Sequence, residues 1–256
     1  MGKANKNNKV EITSINELLI ILVSIDKAVW KVLDNIKKNQ WQRDDSRLLL
    51  LLDFHENNFV TMYQLSLIAR GFNLTNSKTW WKNEFTYLSE KIEVLSDINN
   101  FSLNMLSKTW TNIREYYVFK TFTSFESSVR NIVRVIGNVK YRGKILNGTE
   151  EFHKIRQGFF IEHLHLDNIS IESLKLLQEL RNLFHNSGFY FKKEDTILLY
   201  KRRTYEFKNG KPIFILTLQL LEELTIDLIG LIEKTLNHPT IKSISKIEDT
   251  ASQIQW

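Results

Sequence analysis

The sequence predicts a mainly α fold: a helical bundle with a small β-hairpin or meander inserted between the last two helices. Three observations carry that expectation. Two prolines and nine glycines in 256 residues leave too few turn residues for a many-stranded sheet. Apolar side chains recur at three- and four-residue spacing over long windows, as in Ile171, Leu174, Leu177, Leu180 and Phe184, which is the signature of a helix with one buried face. One stretch, residues 189–213, breaks that rhythm. Phe189-Tyr190-Phe191, 197–200 and 204–207 are aromatic and β-branched, and Asn209-Gly210 is a tight-turn signal. A hydrophobic content of 43% is ample for a core.

Taken in order, helices are expected near 12–38, 43–70, 77–99, 103–137, 150–164, 170–187 and 214–236. The apolar runs 18–25 and 48–52 are too short to cross a bilayer and read as buried helix segments. Trp80-Trp81, Trp110 and the pair Tyr116-Tyr117 read as core or interface anchors. The break at Asp97-Ile98-Asn99-Asn100 suggests an N-terminal helical region, 1–100, and a C-terminal helical domain, 101–256, carrying the β insertion. No Gly/Pro linker marks that break, so the halves are expected to pack together. The 170–187 helix has Ser170 as its candidate N-cap and Gly188 as its stop, since glycine enters the left-handed C-cap conformation without steric cost. The last helix, 214–236, is apolar on nearly all sides despite Gln219, Glu222, Glu223 and Asp227, and fits either a core helix or a dimer surface.

Several function classes drop out. Without cysteine there are no disulfides, thiolate metal sites or cysteine nucleophiles. The N-terminus is polar and basic, without the apolar region of a secretory signal, so a cytoplasmic protein with no membrane association is expected. No Walker-type loop, Gly-x-Gly-x-x-Gly or His-Glu-x-x-His occurs. His163-Leu164-His165, with His153, Glu162 and Asp167 nearby, would chelate only if His163 and His165 shared a strand face. It reads as a surface histidine pair, His55 reads as structural, and no metal or cofactor is expected.

The stretch that carries chemistry is Leu180-Arg181-Asn182-Leu183-Phe184-His185-Asn186-Ser187-Gly188. Arg181 and His185 are four apart, hence one turn apart on nearly the same helix face, and can act on one bound group. Arg181 stays charged and offers a planar fork suited to a phosphate. His185 can exchange protons near neutral pH, and the exposed carbonyls of a helix C-terminus favour a cation there. The same two residues also fit ordinary C-capping.

Arg181-Asn182 followed by His185-Asn186 and Gly188 resembles the signature of the HEPN superfamily, helical bundles of which many are metal-independent endoribonucleases in toxin-antitoxin, abortive-infection and other defence systems. Three residues separate the arginine from the histidine, fewer than in that family's usual pattern. Phe125-Glu126-Ser127-Ser128-Val129-Arg130 is similar to a Glu-Ser-x-x-Arg-like stretch that faces the motif helix in the family. The resemblance covers roughly the last 150 residues. It implies Arg181, His185 and Asn182 as catalytic residues, Asn186, Glu126 and Arg130 as their support, and a symmetric homodimer that joins two Arg/His pairs in one cleft. Read from spacing alone, Glu126 and Arg130 are an intrahelical ion pair or a pair turned toward Arg181 and His185.

Charge placement adds a candidate surface. Between residues 192 and 211 seven basic residues face three acids, a local charge of +4 within a chain of net charge +6. Lys192, Lys193, Lys201, Arg202 and Arg203 are the candidate RNA-binding residues, because counterion release from a phosphate backbone supplies much of such affinity. Lysines that block edge-to-edge strand pairing would give the same pattern. The expected function is therefore RNA cleavage by a cytoplasmic homodimeric toxin or antiviral defence effector, with an antitoxin or defence-complex partner. The alternative is a non-catalytic interaction or scaffold subunit of such a complex.

Overall fold

The computed structural model describes residues 2–42, 44–75, 98–186, 189–211 and 216–248. The helix expected at 77–99 falls, but for its last two residues, outside the described residues; so do Trp80, Trp81, Ser187 and Gly188. The helices are α1 (Gly2–Ile36), α2 (Ser46–Thr75), α3 (Ile98–Ile136), α4 (Phe152–Ile155), α5 (Asn168–His185), α6 (Leu218–Asn237) and the short α7 (Pro239–Lys242). α4 continues into a π-helical stretch, Arg156–His163. Two antiparallel hairpins accompany them: β1 (Lys140–Tyr141) with β2 (Lys144–Ile145), and β3 (Thr196–Tyr200) with β4 (Arg203–Phe207). The fold is mainly α, with the β3–β4 hairpin between the last two long helices. Among the described residues no helix is long and apolar enough to cross a membrane.

The chain forms two compact units, residues 1–23 with 58–117, and residues 24–57 with 118–256. They are interleaved along the chain, where the sequence suggested one cut near residue 100. In the first unit, Ile15, Leu18 and Leu22 of α1, Leu65 and Ile68 of α2, and Ile113 and Tyr117 of α3 are buried at three- and four-residue spacing. The Tyr117 hydroxyl donates to Asn58 Oδ1 at 2.6 Å, satisfying a polar pair inside the core. Its neighbour Tyr116 is exposed, so only one of the two tyrosines is a core anchor.

The second unit contains the candidate site. Ile25, Val29, Val32 and Ile36 of α1 and Val118, Phe122, Phe125, Val129 and Ile132 of α3 turn inward. Phe122, Phe125, Phe152 and Phe160 meet edge-on, tilted or stacked at 5.4–6.4 Å, spacings at which aromatic pairs attract. α6 buries ten residues from Leu220 to Leu236 and is a core helix, which accounts for its apolar content without a dimer surface. Each such leucine contributes about 1.5–3 kcal/mol on leaving water.

A buried ion pair closes the C-terminal end of this unit. Asp45 Oδ1 accepts from the backbone and Nε of Arg47 at 2.9 and 2.8 Å, and Oδ2 accepts from Arg47 Nη2 at 2.6 Å. The remaining donors reach the carbonyls of Ile241, Ile244 and Ser245. Arg47 stacks 4.2 Å from the Trp41 ring, and Ser46 N–H donates to Ile247 O at 2.8 Å. A fully buried guanidinium is tolerated because all its donors are matched.

Several local expectations change. Helix α5 begins at Asn168 and is capped by Asp167, whose Oδ1 accepts from Ser170 N–H at 2.9 Å. Ser170, expected as the cap, is one turn inside, because a carboxylate three residues before it reaches the free amide. The β3–β4 turn is Lys201-Arg202, both left-handed (φ 47° and 63°), a conformation that matches strand twist but strains residues with a side chain. Asn209-Gly210 instead turns the chain back beside Tyr190, whose carbonyl accepts from Gly210 N–H at 2.8 Å. The β1–β2 hairpin, with Arg142-Gly143 at its tip, had no place in the sequence reading. It packs on Gly158, where a Cβ would lie 2.5 Å from Lys140 O.

Candidate functional site

Helix α3 lays a stripe of Phe119, Phe122 and Glu126 beneath the C-terminal half of α5, three and four residues apart and so on one face. Glu126 is the pivot. Its Oε1 accepts from Arg130 Nε at 3.1 Å and Nη2 at 2.6 Å, and its Oε2 accepts from Arg181 Nη2 at 2.8 Å. Arg130 also donates to the carbonyls of Gly148 and Glu150 at 2.9 and 2.6 Å, so the 147–150 loop fixes it from behind. Gly148 sits at φ +86° with Arg130 O where a Cβ would be, which lets the loop approach that closely.

Arg181 is consequently held in one orientation. Besides Glu126, it donates to Asn182 Oδ1 at 2.9 Å and lies 6.0 Å from the Phe122 ring. Its Nε is buried with no hydrogen-bond partner, while the side chain as a whole keeps 28% of its surface exposed. Two guanidiniums share one carboxylate, so the trio carries one positive charge in excess, and an anion reaching Arg181 would offset it.

His185 is exposed at the last turn of α5, its ring parallel to Phe119 at 6.2 Å. Asn182, His185 and Asn186 form one wall of a pocket of about 130 Å³ whose other wall is Tyr190, Phe191 and Lys192. The C-cap of α5 is Asn186 at φ −97°, so the turn does not enter the left-handed conformation there, and Gly188, expected as the stop, lies outside the described residues. The imidazole is accessible, one turn from a fixed guanidinium, and beside two amides that can donate or accept.

Of the five expected RNA-binding cations, three are already paired. Lys192 contacts the nearly buried Glu179 at 2.5 Å, Lys201 contacts Asp227 at 3.1 Å, and Arg203 pairs with Glu223. Lys193 and Arg202 are exposed. Asp227 also accepts from the Tyr200 hydroxyl at 2.7 Å; burial first, and that carboxylate second, push the phenol far above its ordinary range. Three of these five cations are therefore braces around the hairpin, and Lys193 and Arg202 are the two that stay exposed without a salt bridge among the described residues.

The other histidines divide differently. His163 ends the π-helical stretch and His165, with φ +50°, lies two residues beyond it, and among the described residues no group of three His, Asp or Glu converges as a metal site. His153 contacts Glu151 at 3.1 Å and Asp167 contacts Lys234 at 2.6 Å. Burial, followed by the nearby His238 and His165, holds the His163 imidazole below its usual pKa. His55 pairs with Asp26 at 2.7 Å and meets Trp30 edge-on at 5.1 Å. Phe119 and the exposed Phe191 are the site residues that sequence reasoning missed; Phe119 lies seven residues before Glu126, two turns along the same face, and that spacing was its signal.

No protein-family model matches the chain, and no curated protein or solved structure matches it either.

Proposed function

We propose that this chain is a metal-independent endoribonuclease of HEPN type, acting in the cytoplasm as a toxin or antiviral defence effector. One observation supports it above the rest: an accessible imidazole stands one turn from a guanidinium fixed by Glu126, on the wall of a pocket that the amides of Asn182 and Asn186 also line. In the proposed reaction His185 removes the proton of a ribose 2′-hydroxyl, and that oxygen attacks the adjacent phosphorus. Arg181 meets the negative charge that develops on the phosphorane oxygens. The 5′-oxygen leaves, takes up a proton, and the products are a 2′,3′-cyclic phosphate and a 5′-hydroxyl.

One imidazole cannot serve as base and acid within a single step. A homodimer in which His185 of a second copy supplies the leaving-group proton answers that need. Asn182 keeps Arg181 in place, and Asn186 orients the phosphate or the imidazole.

A second reading rests on the pairing of Lys192, Lys201, Arg181 and Arg203 with acids, which leaves fewer free cations than an RNA surface commonly has. Under it the chain is a non-catalytic scaffold of a defence or toxin-antitoxin complex. Incubation of the purified chain with RNA in EDTA separates the two. The nuclease reading expects cleavage that persists in EDTA and is lost in Arg181→Ala and His185→Ala. Cleavage abolished by EDTA, or unchanged in both variants, removes it.

A further inference from the structure

The segment after α5 presents aromatic rings to solvent beside the imidazole. Phe189 N–H donates to Asn186 O at 3.1 Å, and 189–191 form a strand-like run in which the Tyr190 backbone pairs with the returning chain. Residues two apart in such a run share a face. Phe189 and Phe191 are accordingly side by side, 41% and 62% exposed, with ring centroids 6.1 Å apart and planes within 17°.

Tyr190, between them, points the other way and is buried, its hydroxyl 2.5 Å from Thr196 Oγ1 and its ring 5.3 Å from Phe207. Its backbone pairs with Gly210 and Lys211 on the returning chain. The two phenylalanines are thus held outward by an anchored backbone. Water contact at two large rings is unfavourable, and here the rings adjoin a pocket lined by two amides and an imidazole.

We propose that Phe191, with Phe189 behind it, is a stacking shelf for an unpaired nucleobase, and that the substrate is single-stranded RNA. The inference rests on the nuclease reading and names its substrate class. Three features favour a base over an apolar side chain of a partner protein. Phe191 lines the same pocket as the amides of Asn182 and Asn186, which can meet the polar edge of a base. The excess charge of the Glu126–Arg130–Arg181 trio, together with exposed Lys193, suits the phosphate attached to it. The pocket is small, about 130 Å³, and open beside a flat ring, as a base lying over a shelf requires. A duplex keeps its bases stacked internally and cannot offer one.

The test uses the full chain with a fluorescent 2′-O-methyl oligoribonucleotide, which binds but cannot be cleaved, as a single strand and as a duplex. Loss of one stacked base corresponds to about a 5- to 150-fold weakening. Phe191→Ala is expected to weaken single-strand binding within that range, Phe191→Tyr to keep it within about threefold, and duplex binding to stay unchanged. Both variants alter an exposed ring, and a melting curve checks that each is folded. Equal single-strand affinity in Phe191→Ala overturns the shelf; if that variant also cleaves RNA in EDTA through Arg181 and His185, the nuclease reading stands without it. Single-strand binding that depends on Phe191, in a chain that cleaves nothing, upholds the shelf and removes the nuclease. A dimer that becomes a monomer in Phe191→Ala, with unchanged RNA affinity, makes the patch a contact between copies and overturns the shelf.

Discussion

Replacing Glu126 by glutamine removes one charge and leaves two guanidiniums facing each other. The carboxylate is 11% exposed and accepts three charged hydrogen bonds, at 3.1, 2.6 and 2.8 Å. Bonds to charged groups contribute about 1.5–3 kcal/mol each, and stripping one partner from a buried pair costs about 3–5 kcal/mol. Two factors reduce that: the amide oxygen still accepts from one arginine, and Arg130 and Arg181, 24% and 28% exposed, recover some hydration. A net loss of about 2–3 kcal/mol follows, which lowers the melting temperature of a chain this long by about 5–10 °C. Thermal unfolding followed by circular dichroism measures it, and the shift should persist at high salt because the carboxylate is little exposed to counterions. The proposed nuclease reading further expects RNA cleavage at least about tenfold slower once Arg181 is released from its brace. An ordinary exposed pair spaced four residues apart contributes about 0.3–0.5 kcal/mol. A shift below about 2 °C would therefore refute the view that Glu126 joins α3 to α5.

Arg47→Ala strands a buried Asp45 and should cost about 3–5 kcal/mol in urea unfolding, whereas the Asp45→Asn/Arg47→Met double variant should regain much of it; equal losses would contradict the coupling. Arg202→Gly relieves a left-handed residue (φ 63°) at the β3–β4 turn while keeping the Lys201–Asp227 pair, and should stabilise the fold against urea by about 1 kcal/mol; a loss of stability would show that the turn conformation is not strained. The Lys234 ammonium, then the Ser170 amide, hold Asp167 at about 2, below the 3.8 of the free side chain. Stability from this group is complete above pH 3.8 and lost as the pH falls through about 2. Asp167 is 48% exposed, so solvent screening keeps the contribution below about 1 kcal/mol. Asp167→Asn, which keeps the cap, should flatten that acid limb in pH-dependent unfolding. Burial first, then His238 and His165, hold the His163 imidazole below its ordinary 6.5, so the fold loses stability as the pH falls below about 6.5; His163→Gln should be less sensitive between pH 7 and pH 5.

What the sequence made legible was governed by local pattern. The spacing of Ile171, Leu174, Leu177 and Leu180 placed α5, and the aromatic stretch 197–207 placed the hairpin between α5 and α6. Arg181 and His185 lie one turn apart because four residues on any helix do. Long-range partners were less visible. Glu126 reaches Arg181 across 55 positions, and Arg47 reaches Ile241 and Ile244 across nearly two hundred, distances over which periodicity carries no information. Turn chemistry misled where tertiary contacts decided: Asn209-Gly210 carried the stronger local signal, yet Lys201-Arg202 forms the β3–β4 tip, pinned by Asp227 and Glu223 on α6. Positive charge was likewise readable as a count but not as a surface, since pairing with Glu179, Asp227 and Glu223 depends on where other helices run.

The measurement that bears most directly on His185 and Arg181 is end-group analysis of a single-stranded RNA incubated with the chain in EDTA. Attack by the 2′-hydroxyl predicts fragments ending in 2′,3′-cyclic phosphate, no cut at a position carrying 2′-deoxyribose, and no products from His185→Ala or Arg181→Ala. Fragments ending in a 3′-hydroxyl, or the same fragments from His185→Ala, would contradict it.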